Sequence, residues 1–190
     1  MTVPRHRALE FLRSRSAPTM KHLNGTLLEH LMATEELLRS WGSSEELCQA
    51  GLCHAAYGTD GFAPDLLSWH DRDVLVRAVG AAVEEKVYLY ASCDRSVLYP
   101  QLSGAGPVAF RDRFLSRTLE PTDDQLRDFV DLTLANELEI AIHGRTIGGN
   151  DDAGTQSELP PWIAPLVGLM EHRASPGARR ATQQLLVPAG

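Results

Sequence analysis

The pattern that most constrains this chain is a helical stripe that stops and restarts. Leu27, Leu31, Thr34 and Leu38 fall at i, i+4, i+7 and i+11, the spacing of one face of an α-helix. Trp41-Gly42 ends the stripe, with glycine in its usual place just past a helix. Ser43-Ser-Glu-Glu46 has capping-box form, a hydroxyl followed three residues on by a carboxylate. A second stripe follows at Leu47, Ala50, Gly51 and His54. Its small residues at 50 and 51 let a neighbouring helix come close. The stretch from His22 to Asp60 therefore predicts a pair of packed helices that present His30 and His54 to a common pocket.

Helical signals continue along the chain. Pro4 can open a first helix, with Ala8, Leu9 and Leu12 on one face, ending near Arg15. The second helix is expected to start between His22 and Thr26 and run to Ser40; Asn24-Gly25 can delay that start by a turn. Residues 71–79 and 80–91 read as helical, with Gly80 either kinking one helix or separating two. Residues 92–108 carry repeated Ser, Gly and Pro and read as a loop, and Phe110 to Ser116 as a short helix. Thr122-Asp-Asp-Gln125 is another capping-box form, opening a helix that is apolar on several sides through Ile140 and ends near Gly144. Residues 148–158 read as a surface loop, and Pro160-Pro161 opens a last apolar helix through Met170. No run of period-two strands stands out. The expected fold class is all-α, one domain over 1–173 with a tail or short helix at 174–190.

Bulk properties remove several classes of partner. The chain has 25 acidic against 18 basic residues, so it offers no positive field to a nucleic acid or an anionic membrane. Arg111, Arg113 and Arg117 leave room for a local phosphate site. No apolar run approaches the ~20 residues of a transmembrane helix, and the N-terminus lacks a secretory pattern. The three cysteines, Cys48, Cys53 and Cys93, give no disulfide framework. A cytoplasmic protein acting on a small molecule, without nucleic acid or membrane and compatible with a homodimer, is the expectation.

The chemistry concentrates in the histidines. His30 lies beside the stripe of the second helix and His54 ends that of the third. Two imidazoles on adjacent buried helices can satisfy each other, bind a metal or act on a substrate; the competing reading is two separately satisfied core histidines. His22 and Thr26 precede His30 at i−8 and i−4 and join its face if the helix extends that far. Otherwise His22 is a solvent-exposed neighbour of Lys21. Tyr57, Thr59 and Asp60 follow His54 in a turn that either serves the site or simply stops a helix. Glu139 shares a helical face with Asn136, and a carboxylate in so apolar a helix is either at the surface or functional. His143 stands one turn further on. His70-Asp71 reads as a helix cap, and Glu84 and Glu85 as a solvated face, with Glu85 and Tyr88 able to face the pocket.

This order of features resembles the HD-domain phosphohydrolase superfamily, nearest to the hydrolase half of bifunctional (p)ppGpp enzymes. Those proteins carry a His on an early helix, a His-Asp doublet at the end of the next and a later Asp. Here Ala50-Gly-Leu-Cys-His54-Ala-Ala-Tyr-Gly-Thr59, Val79 to Val87 and Ala135-Asn-Glu-Leu138 resemble the matching segments, over roughly residues 22 to 140. His22 to Leu31 and Tyr57 to Thr59 also resemble a small family of uncharacterised bacterial proteins with an H-x-x-G-T-L-L-x-H-L start and a Y-G-T turn. The first resemblance implies an HD-like helical bundle with His30 and His54 as metal ligands.

Two departures alter that implication. The doublet's Asp is Ala55, and the later Asp is Asn136. Hard cations prefer carboxylate oxygen, so the remaining set suits a single Zn²⁺ or Fe²⁺, weakly held, or no metal. The expected site is catalytic His30, His54, Tyr57 and His22, with Thr26, Thr59, Asn136 and Glu139 binding substrate. It performs metal-assisted hydrolysis, or metal-free acid/base chemistry of a lyase, isomerase or cyclase in specialised metabolism. A non-catalytic ligand-binding or regulatory module derived from an HD enzyme is the alternative.

Overall fold

The structure is a computed structural model that describes residues 3–22, 25–60, 65–145 and 159–186, without the side chains of 143–145. The fold is mostly α-helical. Its helices are α1 (Arg5–Ser14), α2 (Leu27–Ser40), α3 (Glu45–Cys53), α4 (Arg72–Val79), α5 (Ala81–Ser92), α6 (Arg95–Leu98), α7 (Asp123–Arg145), α8 (Ile163–Met170) and α9 (Pro176–Leu186). Two short antiparallel pairs accompany them: β1 (Lys21–His22) with β2 (Gly25–Thr26), and β3 (Phe110–Asp112) with β4 (Arg117–Leu119). No described helix is long and apolar enough to cross a membrane.

The centre is built by α2 packing on α3 and α7, and by α3 packing on α5. Thr26 starts α2 with a complete capping box: its hydroxyl accepts from the Glu29 amide, and Glu29 accepts from the Thr26 amide. Leu27, Leu31 and Leu38 are fully buried on the inner face, each contributing roughly 1.5–3 kcal/mol of hydrophobic stabilisation. Ser44 caps α3 by accepting from Leu47 N at 3.2 Å, one residue later than the capping-box pattern suggested. Every residue from Leu47 to Cys53 is buried. Gly51 allows the close approach of α2, since a Cβ there would stand 2.5 Å from Leu38 Cδ1.

Several boundaries differ from expectation. α2 begins only at Leu27, because Gly25 and Thr26 form β2 and Thr26 is the cap. His22 therefore sits on a strand and not on the helix of His30. α3 ends at Cys53, with His54 as its C-cap and a turn through Tyr57. Gly80 separates two helices at φ +87°, a conformation favouring glycine. The segment 92–108, expected as loop, contains α6 and a 3-10 turn at Tyr99–Gln101. Phe110 to Ser116, expected as helix, forms β3 and the turn into β4: Asp112 accepts from the amides of Phe114 and Leu115, which folds the chain back. Asp71 makes no capping hydrogen bond with its side chain, and Ser68 accepts from the His70 amide instead. Residues 176–186, expected as tail or short helix, form α9, which packs on α7 with Ala178 and Thr182 buried. The side chain of His143, the loop expected at 148–158 and the last residues of the tail lie outside the described residues.

Candidate functional site

A cavity of about 370 Å³ opens where the helical centre meets the loops after α3 and α5. That volume falls in the range of small-molecule sites. β1 supplies His22, α2 supplies Leu27 and His30, and the end of α3 supplies His54 and Ala55. The following turn contributes Thr59 and Asp60. Arg95 and Tyr99 come from α6 and the 3-10 turn, Asn136, Glu137 and Ile140 from α7, and Trp162 and Leu166 from the start of α8.

His30 is the pivot. Its Nδ1 meets Glu139 Oε2, both groups being buried, and its Nε2 lies 3.0 Å from Asn136 Oδ1. Glu139 is not on the wall of this cavity; it stands behind His30 and orients the ring. Both ring nitrogens thus face side-chain oxygens, and the donor role of each follows the tautomer. Turning the Asn136 amide over would make Nδ2 the donor to the Nε2 lone pair and give up the Asn136–Glu137 bond. His22 packs on His30 with ring centroids 4.4 Å apart, and His54 meets it edge-on at 5.3 Å. His54 Nδ1 donates to Gly51 O at 2.7 Å, which leaves Nε2 as the lone-pair nitrogen. Burial, reinforced by the nearby charge of His30, lowers the His54 pKa to about 3, so His54 is neutral. His22 is lowered by the same two causes in the same order.

The acidic and basic groups of the wall complement this trio. Asn136 Nδ2 donates to Glu137 Oε1 at 3.2 Å, so one amide bridges His30 and Glu137. Burial raises the Glu137 pKa, and Arg95, Asn136 and His30 offset that only in part. Across the cavity, Arg95 donates from Nε to Tyr99 OH at 3.1 Å and from Nη1 to Asp60 O at 3.1 Å. Its guanidinium lies 5.0 Å from the Tyr90 ring centroid. Burial works against its charge, yet Tyr90 and Tyr99 keep its pKa raised overall.

The fold thus brings His22, His30, His54, Thr59 and Asn136 to one cavity, with Glu139 behind it. Tyr57 is not there: its hydroxyl donates to Glu84 Oε1 at 2.8 Å, inside the core. Glu84, expected on a solvated face, is buried and also takes a bidentate hydrogen-bond pair from Arg72. Thr26 is spent on its capping box. Tyr88 donates to buried Asp112 and Glu85 borders a different, smaller cavity. Arg111, Arg113 and Arg117 do not converge on an anion: they reach Asp94, the Ala91 carbonyl and Asp112 respectively. Asp60 does fold back to the site, where Oδ2 accepts from the Arg95 amide at 3.0 Å. Sequence reasoning passed over Arg95, Tyr99 and Trp162. The first two lay in a segment read as loop, and Trp162 in the last apolar helix. Glu137 stood only within the segment Ala135-Asn-Glu-Leu138.

These donors do not make a metal centre as they stand. Both His30 nitrogens face side-chain oxygens, and the adjoining wall positions Ala55 and Asn136 offer no carboxylate to a hard cation. Among the described residues, no group of three or more His, Cys, Asp or Glu side chains is arranged to hold a metal ion.

Residues 11–95 match a family described as a domain of unknown function, DUF6817. The chain is similar to that family over the segment that holds His22, His30, His54 and Asp60; the α7 half of the cavity follows it. No curated protein and no solved structure matches the chain.

Proposed function

We propose that this protein is a small-molecule enzyme using metal-free general acid/base catalysis, of isomerase, lyase or cyclase type. The observation that carries the reading is the His30 relay: a buried carboxylate behind the ring, and the other ring nitrogen at a cavity wall beside Asn136 and Glu137. With Glu139 holding Nδ1–H, a substrate that displaces the Asn136 amide meets His30 Nε2 as the atom able to take its proton, while the Glu137 carboxyl gives one to another substrate atom. The proton count is unchanged, so the product is an isomer, or an elimination product where the protonated atom leaves. Such a positioned pair supplies typically ~10²–10⁴ in rate. Neutral His54 and His22 shape the wall and serve as hydrogen-bond partners.

A degenerate HD-like scaffold belongs to the same proposal. Its support is that the residues standing at the HD motif positions, His30, His54, Ala55 and Asn136, come together from α2, α3 and α7. A cytoplasmic setting suits the three buried, unbridged thiols. The second reading is a ligand-binding module without turnover. The observation favouring it is that both His30 nitrogens already have partners within the protein.

Deuterium wash-in tests the choice without a known substrate. The protein is incubated with pools of small metabolites in heavy water and read by proton NMR. An acid/base enzyme loses the proton signal at the atom it deprotonates. Exchange by the wild type that vanishes in a folded His30→Gln variant is the expected result. A wild type that binds a pool member yet exchanges no proton identifies the binding module instead.

A further inference from the structure

Among the described residues Arg95 is the one arginine of the cavity wall, and it is half-buried without a carboxylate partner. Arg173 reaches only backbone carbonyls at its edge of the fold, while the half-buried Arg5 and Arg72 bond the carboxylates of Glu35 and Glu84. Arg95 instead meets only neutral oxygens, Tyr99 OH and the Asp60 carbonyl, together with the Tyr90 ring. Asp60 turns its carboxylate to the Arg95 backbone amide, not to the guanidinium. Among the described residues no carboxylate lies within ion-pair distance of it. A desolvated cation without a counter-ion costs several kcal/mol, and a guanidinium has five N–H donors, of which these bonds engage two.

The rest of the wall says what the anion is attached to. Leu27, Ile140, Trp162 and Leu166 form an apolar flank, and Trp162 is 41% exposed at its edge. Asp60 and Glu137 line the same cavity and oppose a dianion. A single guanidinium in a cavity that also holds two carboxylates, neither paired with it, suits one negative charge, and its planar edge suits two coplanar oxygens.

We infer that the cavity binds a monocarboxylic acid with an apolar body, its carboxylate on Arg95 and its body against Ile140, Trp162 and Leu166. This names the substrate class for the acid/base reading above and rests on that reading's choice of cavity.

Calorimetric titration of the full chain with phenylacetate, phenylacetamide and phenyl phosphate tests it. Phenylacetate is expected to bind saturably, with the amide about tenfold weaker or worse and phenyl phosphate weaker than phenylacetate. Arg95→Met is expected to reduce phenylacetate to the affinity of the amide. If that variant does not fold, the wild-type comparison of acid and amide decides. Equal binding of acid and amide, tighter binding of phenyl phosphate, or no saturable heat from any of the three overturns the inference. The titration needs no turnover, so the two proposals fail separately. Acid binding without proton exchange sinks the catalytic reading alone, and proton exchange on an uncharged molecule sinks the ligand class alone.

Discussion

His54 should make the protein acid-sensitive through one identifiable proton. The ring is 2% exposed and donates Nδ1–H to Gly51 O. Its pKa falls from 6.5 to about 3, first through burial and then through the charge of His30, with smaller contributions from His22 and Arg95. The folded state therefore keeps His54 neutral while the unfolded chain protonates it. Stability from this group is whole above pH 6.5 and is lost as pH falls toward about 3. The slope reaches about 1.4 kcal/mol per pH unit, and over the whole window the ceiling is on the order of 5 kcal/mol. His54→Asn places an amide N–H close to where Nδ1–H stands and removes the titration. Urea unfolding of both proteins between pH 7 and pH 4.5, analysed as two-state, isolates the difference. Burial-raised Glu137 and Asp131 act in the opposite direction, but they are common to both proteins. The expected result is a wild-type stability that falls more steeply with acid, by about one proton's worth. Parallel slopes would refute the neutral buried imidazole.

Other expectations concern packing and the buried polar groups. Gly177→Ala should free α9 and expose the C-terminal segment to limited proteolysis, because its Cβ would meet Trp41 O at 1.9 Å, a backbone atom that cannot give way. Gly51→Val should cost roughly 1–3 kcal/mol in chemical denaturation by forcing α2 from α3. Glu84→Ala should cost roughly 2–4 kcal/mol, since Tyr57 and Arg72 both lose their acceptor; a loss below half a kcal/mol in the same measurement would contradict that account. Burial pushes the Cys53 and Cys93 thiols up to about 12 and Cys48 to about 11. An aromatic disulfide reagent at pH 8 should therefore label the native protein far more slowly than the urea-unfolded chain.

Local chemistry made much of this fold legible in the sequence. Leu27, Leu31 and Leu38 mark the buried face of α2, and the Thr122–Gln125 capping box forms with both of its bonds. Gly80 breaks the chain where its lack of a Cβ predicts. The elements that misled are those decided at long range. Phe110 to Asp112 is a strand because Ser92 and Asp94 bond to its flank, which no local pattern announces. Tyr57 and Glu84 looked like a site residue and a surface residue; they form a buried hydrogen bond because α5 packs on α3. In the cavity, the histidines stood out by type and spacing, whereas Arg95 and Glu137 gain meaning only from what surrounds them. An arginine without a carboxylate is invisible until its neighbours are known.

His30 and Glu139 are 109 residues apart, and that distance makes the site a report on folding itself. Closing so long a loop costs entropy that only the packed α2–α7 interface recovers. No fragment ending before α7 holds the carboxylate that orients the ring, and a chain whose α7 is undocked has histidines but no relay. The competent pocket is then among the last features to assemble and the first to vanish on partial opening, so its occupancy by a ligand should track completion of the tertiary structure more closely than helix content does.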